Sequence, residues 1–81
     1  MGMIATFHTH FGAMSFQKKL QKSGVAAEMM PVPRVLSASC GVCVRFDGPF
    51  DMKTMPHGDM EAVYRSTESG AFELVYQQDE D

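Results

Sequence analysis

The chain has 81 residues, with 7 Lys+Arg against 10 Asp+Glu and a formal net charge of −3. That length suits one hydrophobic core and one domain, and the slight acidity argues against nucleic acid as a partner. There is no apolar run of transmembrane length and no signal-peptide pattern, so no membrane association and a cytoplasmic location are expected. In that compartment two cysteines point to free, catalytic or metal-bound thiols rather than a structural disulfide. A domain this short is marginal alone, and a homodimer is the expected help.

Residues Met3 to His8 read as a strand, apolar on both faces near its start and therefore central. Thr9 is placed to cap a helix. In that helix Ala13, Phe16 and Leu20 form one apolar stripe, while Gln17, Lys18, Gln21 and Lys22 face water. Ser23-Gly24 ends it, since glycine tolerates φ > 0. Val25 to Met30 read as a second strand, and Pro31 and Pro33 are expected to stop its pairing. Gly41 to Phe46 read as a third, with Val42, Val44 and Phe46 on one face and Cys43 and Arg45 on the other. Asp47-Gly48-Pro49 is a turn signal, and Phe50 to Pro56 read as loop. Met60, Val63, Tyr64 and Thr67 recur at helical spacing and predict a second helix from about His57 to Ser69, with Asp59 and Glu61 suited to its dipole and Gly70 as its stop. Phe72, Leu74 and Tyr76 alternate as a last strand. The domain is expected to span residues 1–76, with 77–81 an acidic tail.

The predicted order is β-α-β-β-α-β. Such a chain most simply folds as an α+β, ferredoxin-like two-layer sandwich, an antiparallel sheet with two helices on one face. In that topology the first and third strands are central neighbours. The bend from Pro31 to Cys40 then falls at the same end as the start of the first helix, setting Cys40 beside His8, Thr9 and His10.

The bend itself is the part of the chain that packing explains least. Two prolines stiffen it, and Arg34, Ser37, Ser39 and Cys40 follow before Gly41. A thiol becomes a nucleophile as thiolate, and a cation or helix N-terminus favours that form. Arg34 and the first helix are positioned to supply both. Gly41 lets backbone amides approach whatever Cys40 carries, and Ser39, Thr9 and His10 are further candidate anion contacts. Cys40-Gly41-Val42-Cys43 is also a C-x-x-C. Residues three apart in a regular strand point to opposite faces, which argues against a working dithiol. His8, His10 and His57 lack the paired spacing of metal ligands, so neither a metal nor a cofactor is expected. There is no Ser-His-Asp order, phosphate loop or carboxylate pair, so a self-contained hydrolase is not expected.

Phe7-His8-Thr9-His10, then Met30-Pro31-Val32-Pro33-Arg34, then Leu36-Ser37-Ala38-Ser39-Cys40-Gly41, together resemble a family of short bacterial selenium/sulfur (Se/S) carrier protein-like domains of uncharacterised function. The resemblance covers about the first 46 residues, and Cys43 is not part of the pattern. It implies a carrier role for Cys40, with Arg34 in the same site, and sulfur or selenium donor and acceptor proteins as partners. The expected function is thus sulfur or selenium transfer on Cys40, by a carrier more than by an enzyme. The competing expectation is a non-catalytic module that holds a small anion or a protein segment at the same bend, with Cys40 only packing. A third is an interaction domain using an apolar sheet face.

Overall fold

The computed structural model describes residues 2–36, 40–48 and 58–78. The first strand, β1 (Met3–Phe7), is buried at all five positions. It is flanked on both sides, as its two apolar faces require. Helix α1 (His10–Lys22) follows. The Thr9 hydroxyl caps it by accepting from the Gly12 N–H at 3.0 Å. Ser23 closes it, and Gly24 takes φ 83° just beyond. Next come β2 (Ala27–Pro31), β3 (Val42–Phe46), β4 (Met60–Ser66) and β5 (Phe72–Gln77). The sheet order is β2-β3-β1-β4-β5, and every neighbouring pair is antiparallel.

The helix lies across β1, β2 and β3. Its buried Ala13, Phe16 and Leu20 meet Met3, Ala5 and Phe7 of β1, Val44 and Phe46 of β3, and Met60 and Val63 of β4. Phe16 is the hub: its ring centroid lies 5.4 Å from Phe7 and 5.5 Å from Phe46, in tilted and edge-on arrangements. Fully burying one such side chain contributes about 1.5–3 kcal/mol. The other sheet face presents Ile4, Thr6, Cys43 and Ala62, all buried as well. Among the described residues no helix is long and apolar enough to cross a membrane.

The ferredoxin-like expectation is overturned. The first and third strands are neighbours as expected, but the sheet has five strands, and α1 is the one helix among the described residues. The segment expected to be a second helix from His57 to Ser69 is instead β4, from Met60 onward, followed by a turn into β5. A β-bulge explains the misreading. Phe7 pairs with Met60 and Thr6 with Ala62, so Glu61 is an extra residue in the ladder. The insertion moves the next core-facing position from 62 to 63. Met60 and Val63 therefore share one sheet face at a spacing of three, which in sequence looks helical. Gly70, expected to stop that helix, takes φ 85° in the β4–β5 turn, where its N–H donates to the Thr67 carbonyl.

A second irregularity does the same in β5. Val63 pairs with Tyr76 and Tyr64 with Leu74, leaving Val75 as the additional residue. Tyr76 and Val75 pack on the core, whereas Phe72 and Leu74 lie on the opposite face. The simple alternation of Phe72, Leu74 and Tyr76 is broken there.

Pro31 does not stop pairing; it sits opposite Val42 within β2. The Val32 N–H donates to the Gly41 carbonyl at 3.1 Å, so the ladder continues past the proline. Antiparallel bonding alternates, so Pro31 occupies a non-bonded position and its missing donor faces outward. Because β2 is an edge strand, nothing there requires that donor.

Candidate functional site

The bend after β2 is built by proline. Pro33 fixes φ at the start of a tight turn closed by the Leu36 N–H donating to the Pro33 carbonyl at 3.0 Å. Arg34 and Val35 are its two central residues, and both are exposed. Among the described residues the Arg34 guanidinium has no hydrogen bond or ion pair, with Cys40 or any other group. Ser39, expected as an anion contact, and Ser37 lie outside the described residues, as do His57 and the segment 50–56.

Cys40 is half-buried, ahead of β3 and not within it. Its thiol lies 3.3 Å from the Phe7 carbonyl and 3.5 Å from the Val42 carbonyl, both able to accept its proton. The His8 N–H bonds the Asp59 carbonyl on the β4 side, so alternation turns the Phe7 carbonyl toward β3. The sulfur therefore sits at the end of the β1–β3 seam. Gly41, with φ 77°, supplies the turn that brings it there, and a Cβ on Gly41 would meet open space.

Cys43 is one of the most enclosed side chains of the molecule, with 0% of its surface exposed. It stands between Thr6 of β1 and Met30 of β2 on the face away from α1. Its thiol reaches the Pro31 carbonyl, at 3.8 Å. Burial, and then the neighbouring Cys40, push it up to about 11. The strand geometry that seemed to separate the two cysteines applies to Cys43 alone, because Gly41 folds Cys40 out of the strand.

The tip of α1 is occupied by another group. The Thr9 hydroxyl, besides capping the helix, donates to a carboxylate oxygen of Asp59 at 2.5 Å. The other oxygen of Asp59 is buried against Gly12, without a hydrogen-bond partner among the described residues. A Cβ at Gly12 would collide with that carboxylate. Asp59 thus supplies the negative charge that the positive end of a helix favours. Of the expected anion contacts there, Thr9 is engaged by Asp59, and His10 is an exposed first residue of the helix. Sequence reasoning had given Asp59 to a second helix. The available signal was Gly12, a glycine in a first helical turn with no local need for one.

His8 turns to the other side of β1. Its Nε2 lies 3.2 Å from Gln78 Oε1 and its Nδ1 lies 3.5 Å from Glu61 Oε2. The bulge at Glu61 sets that carboxylate beside the imidazole. These three residues, with Thr6, Ala62, Tyr64 and Gln77, line a polar cleft of about 370 Å³. Thr6, fully buried, donates to the Ala62 carbonyl at 3.4 Å. Among the described residues no group of three or more His, Cys, Asp or Glu side chains is placed to hold a metal ion.

A sequence model of the family described as "Putative Se/S carrier protein-like" matches residues 2–54, more than half of the chain. The chain belongs to that family. The match spans β1, α1, β2, the Cys40 bend and β3, so every element that positions Cys40 is a family element, while β4 and β5 lie beyond it. No curated protein and no solved structure matches this Se/S carrier-like chain.

Proposed function

We propose that this chain carries sulfur or selenium on Cys40 as a persulfide-type adduct, passed between donor and acceptor proteins. In loading, the Cys40 thiolate attacks the outer sulfur of a donor persulfide. The new S–S bond forms as the donor's own S–S bond breaks, and the donor leaves as a thiolate. The observation that carries the reading is the contrast between the two thiols. Cys40 is partly exposed on a turn beside a side-chain-free Gly41, whereas Cys43 is sealed and pushed up to about 11. Membership of the Se/S carrier-like family supports it. Arg34, exposed on the same bend, is the cation assigned to the adduct. The tip of α1 is not part of this reading, because Asp59 already occupies it.

The test is intact-mass analysis after incubation with a cysteine desulfurase and its cysteine substrate, or with a selenium donor. The expected result is one added sulfur or selenium on the unsubstituted chain and none on Cys40→Ser. Equal gain on both proteins, or gain on neither, overturns the reading. One observation favours the alternative of a binding module in which Cys40 only packs: its thiol is placed to donate to backbone carbonyls. A serine hydroxyl can make the same bonds. In that case Cys40→Ser retains full affinity for the partner, and the chain gains no atom from the donor.

A further inference from the structure

The C-x-x-C leaves one buried nucleophile, Cys43, with no part in loading. The Cys40 sulfur lies 3.5 Å from the oxygen of the peptide bond that joins Val42 to Cys43. In a trans peptide that oxygen is on the same side as the following Cα, and there is no cis bond among the described residues. The Cys40 sulfur is therefore folded back onto the backbone that bears Cys43. Among the described residues the Cys43 thiol is tethered by one long contact to the Pro31 carbonyl, which is a weak restraint. Gly41 between them stands in open space at positive φ, so the turn has room to adjust.

We infer that Cys43 is the resolving thiol of Cys40, discharging the cargo as sulfide or selenide and leaving a Cys40–Cys43 disulfide. The inference rests on the reading of Cys40 as the carrier thiol. The Cys43 sulfur attacks the inner sulfur of the adduct. The new bond joins the two cysteine sulfurs. The bond from Cys40 to the outer sulfur or selenium breaks, and its electron pair leaves with that atom. The proton lost by Cys43 ends on the released hydrosulfide or hydroselenide. The two cysteine sulfurs are oxidised and the cargo atom is reduced, so no outside oxidant enters. A low-molecular-weight thiol then resets the pair by exchange, itself becoming a disulfide.

Burial sets the pace. Exchange follows the thiolate fraction of the attacking sulfur, and a Cys43 pushed up to about 11 is almost entirely protonated near neutrality. The loaded chain therefore holds its cargo near neutral pH and releases it when the medium becomes alkaline or when a docking partner uncovers Cys43.

The test loads the full chain with sodium polysulfide, removes the excess, and follows intact mass and free sulfide with time. The unsubstituted chain is expected to lose the added sulfur and two hydrogens, up to about a hundredfold faster near pH 9 than near pH 7. Peptide mass spectrometry should find the Cys40–Cys43 cross-link directly, which does not depend on any variant folding. Cys43→Ala should keep the added sulfur at both pH values. If the unsubstituted chain keeps its sulfur as long as Cys43→Ala and forms no cross-link, the inference is overturned while the carrier reading stands. Glutathione disulfide separates the two failures. If polysulfide fails to load Cys40 but glutathione disulfide still yields the Cys40–Cys43 cross-link, the resolving role of Cys43 stands and the carrier reading falls. If neither reagent yields the cross-link, the resolving role falls.

Discussion

Two cysteines three positions apart differ in burial here, and the buried one has a consequence that solution measurements reach. The folded chain holds Cys43 as a thiol to about pH 11, against an ordinary value of 9.0. An unfolded chain ionises first, so this stabilisation is complete below about pH 9 and is lost as pH rises toward 11. Urea unfolding of the unsubstituted chain should show a decline in stability across that window that Cys43→Val lacks. Asp59 and Gly12 form the second residue-scale unit. Because a Cβ at Gly12 would strike the Asp59 carboxylate, Gly12→Ala alone should destabilise by about 1–3 kcal/mol through overpacking. In an Asp59→Ser background the same change should be neutral or stabilising, since alanine is the better helix former by about 1 kcal/mol. A double-mutant cycle measures the coupling; additive effects would show that the carboxylate does not fill that space.

Elements here owe their limits to neighbours more than to their own residues. Pro31 reads as a strand breaker, yet β2 runs through it because its nitrogen faces the open edge of the sheet. Pro31→Val should therefore change the unfolding free energy by no more than about 0.5 kcal/mol, the range for a surface position. A larger loss would mean that the ring itself packs. The β4 segment shows the converse. Its apolar spacing satisfies a helix, and only its pairing with β1 and β5, with Glu61 inserted, makes it a strand. The same insertion brings Glu61 to His8, so the irregularity that hid the strand also builds the polar cleft.

A chain of 81 residues has about 4–12 kcal/mol of stability to draw on. One aromatic, Phe16, joins the helix to the sheet through Phe7 and Phe46. Phe16→Ala should cost about 3–5 kcal/mol, read as a large drop in the denaturant midpoint followed by circular dichroism. Retained cooperative unfolding at near-normal denaturant would show that the sheet holds together without this contact.

The amino-acid sequence by itself determined the first half of the molecule: the buried first strand, the Thr9 cap, the stripe of Ala13, Phe16 and Leu20, the Gly24 stop, and the third strand with Cys43 on the face away from the helix. These follow from local periodicity, capping and turn chemistry, each contained within a few residues. Family membership was also legible there, since the matched residues 2–54 hold the motifs around Cys40. In the second half the last strand was legible too, as the alternation of Phe72, Leu74 and Tyr76, and only the tertiary structure decided the segment before it. A bulge adds one residue to one strand relative to its partner, and that displacement exists only once two strands are paired. For the same reason the occupant of the helix tip, Asp59, was invisible: it lies 50 residues from Thr9 along the chain, and nothing local links them.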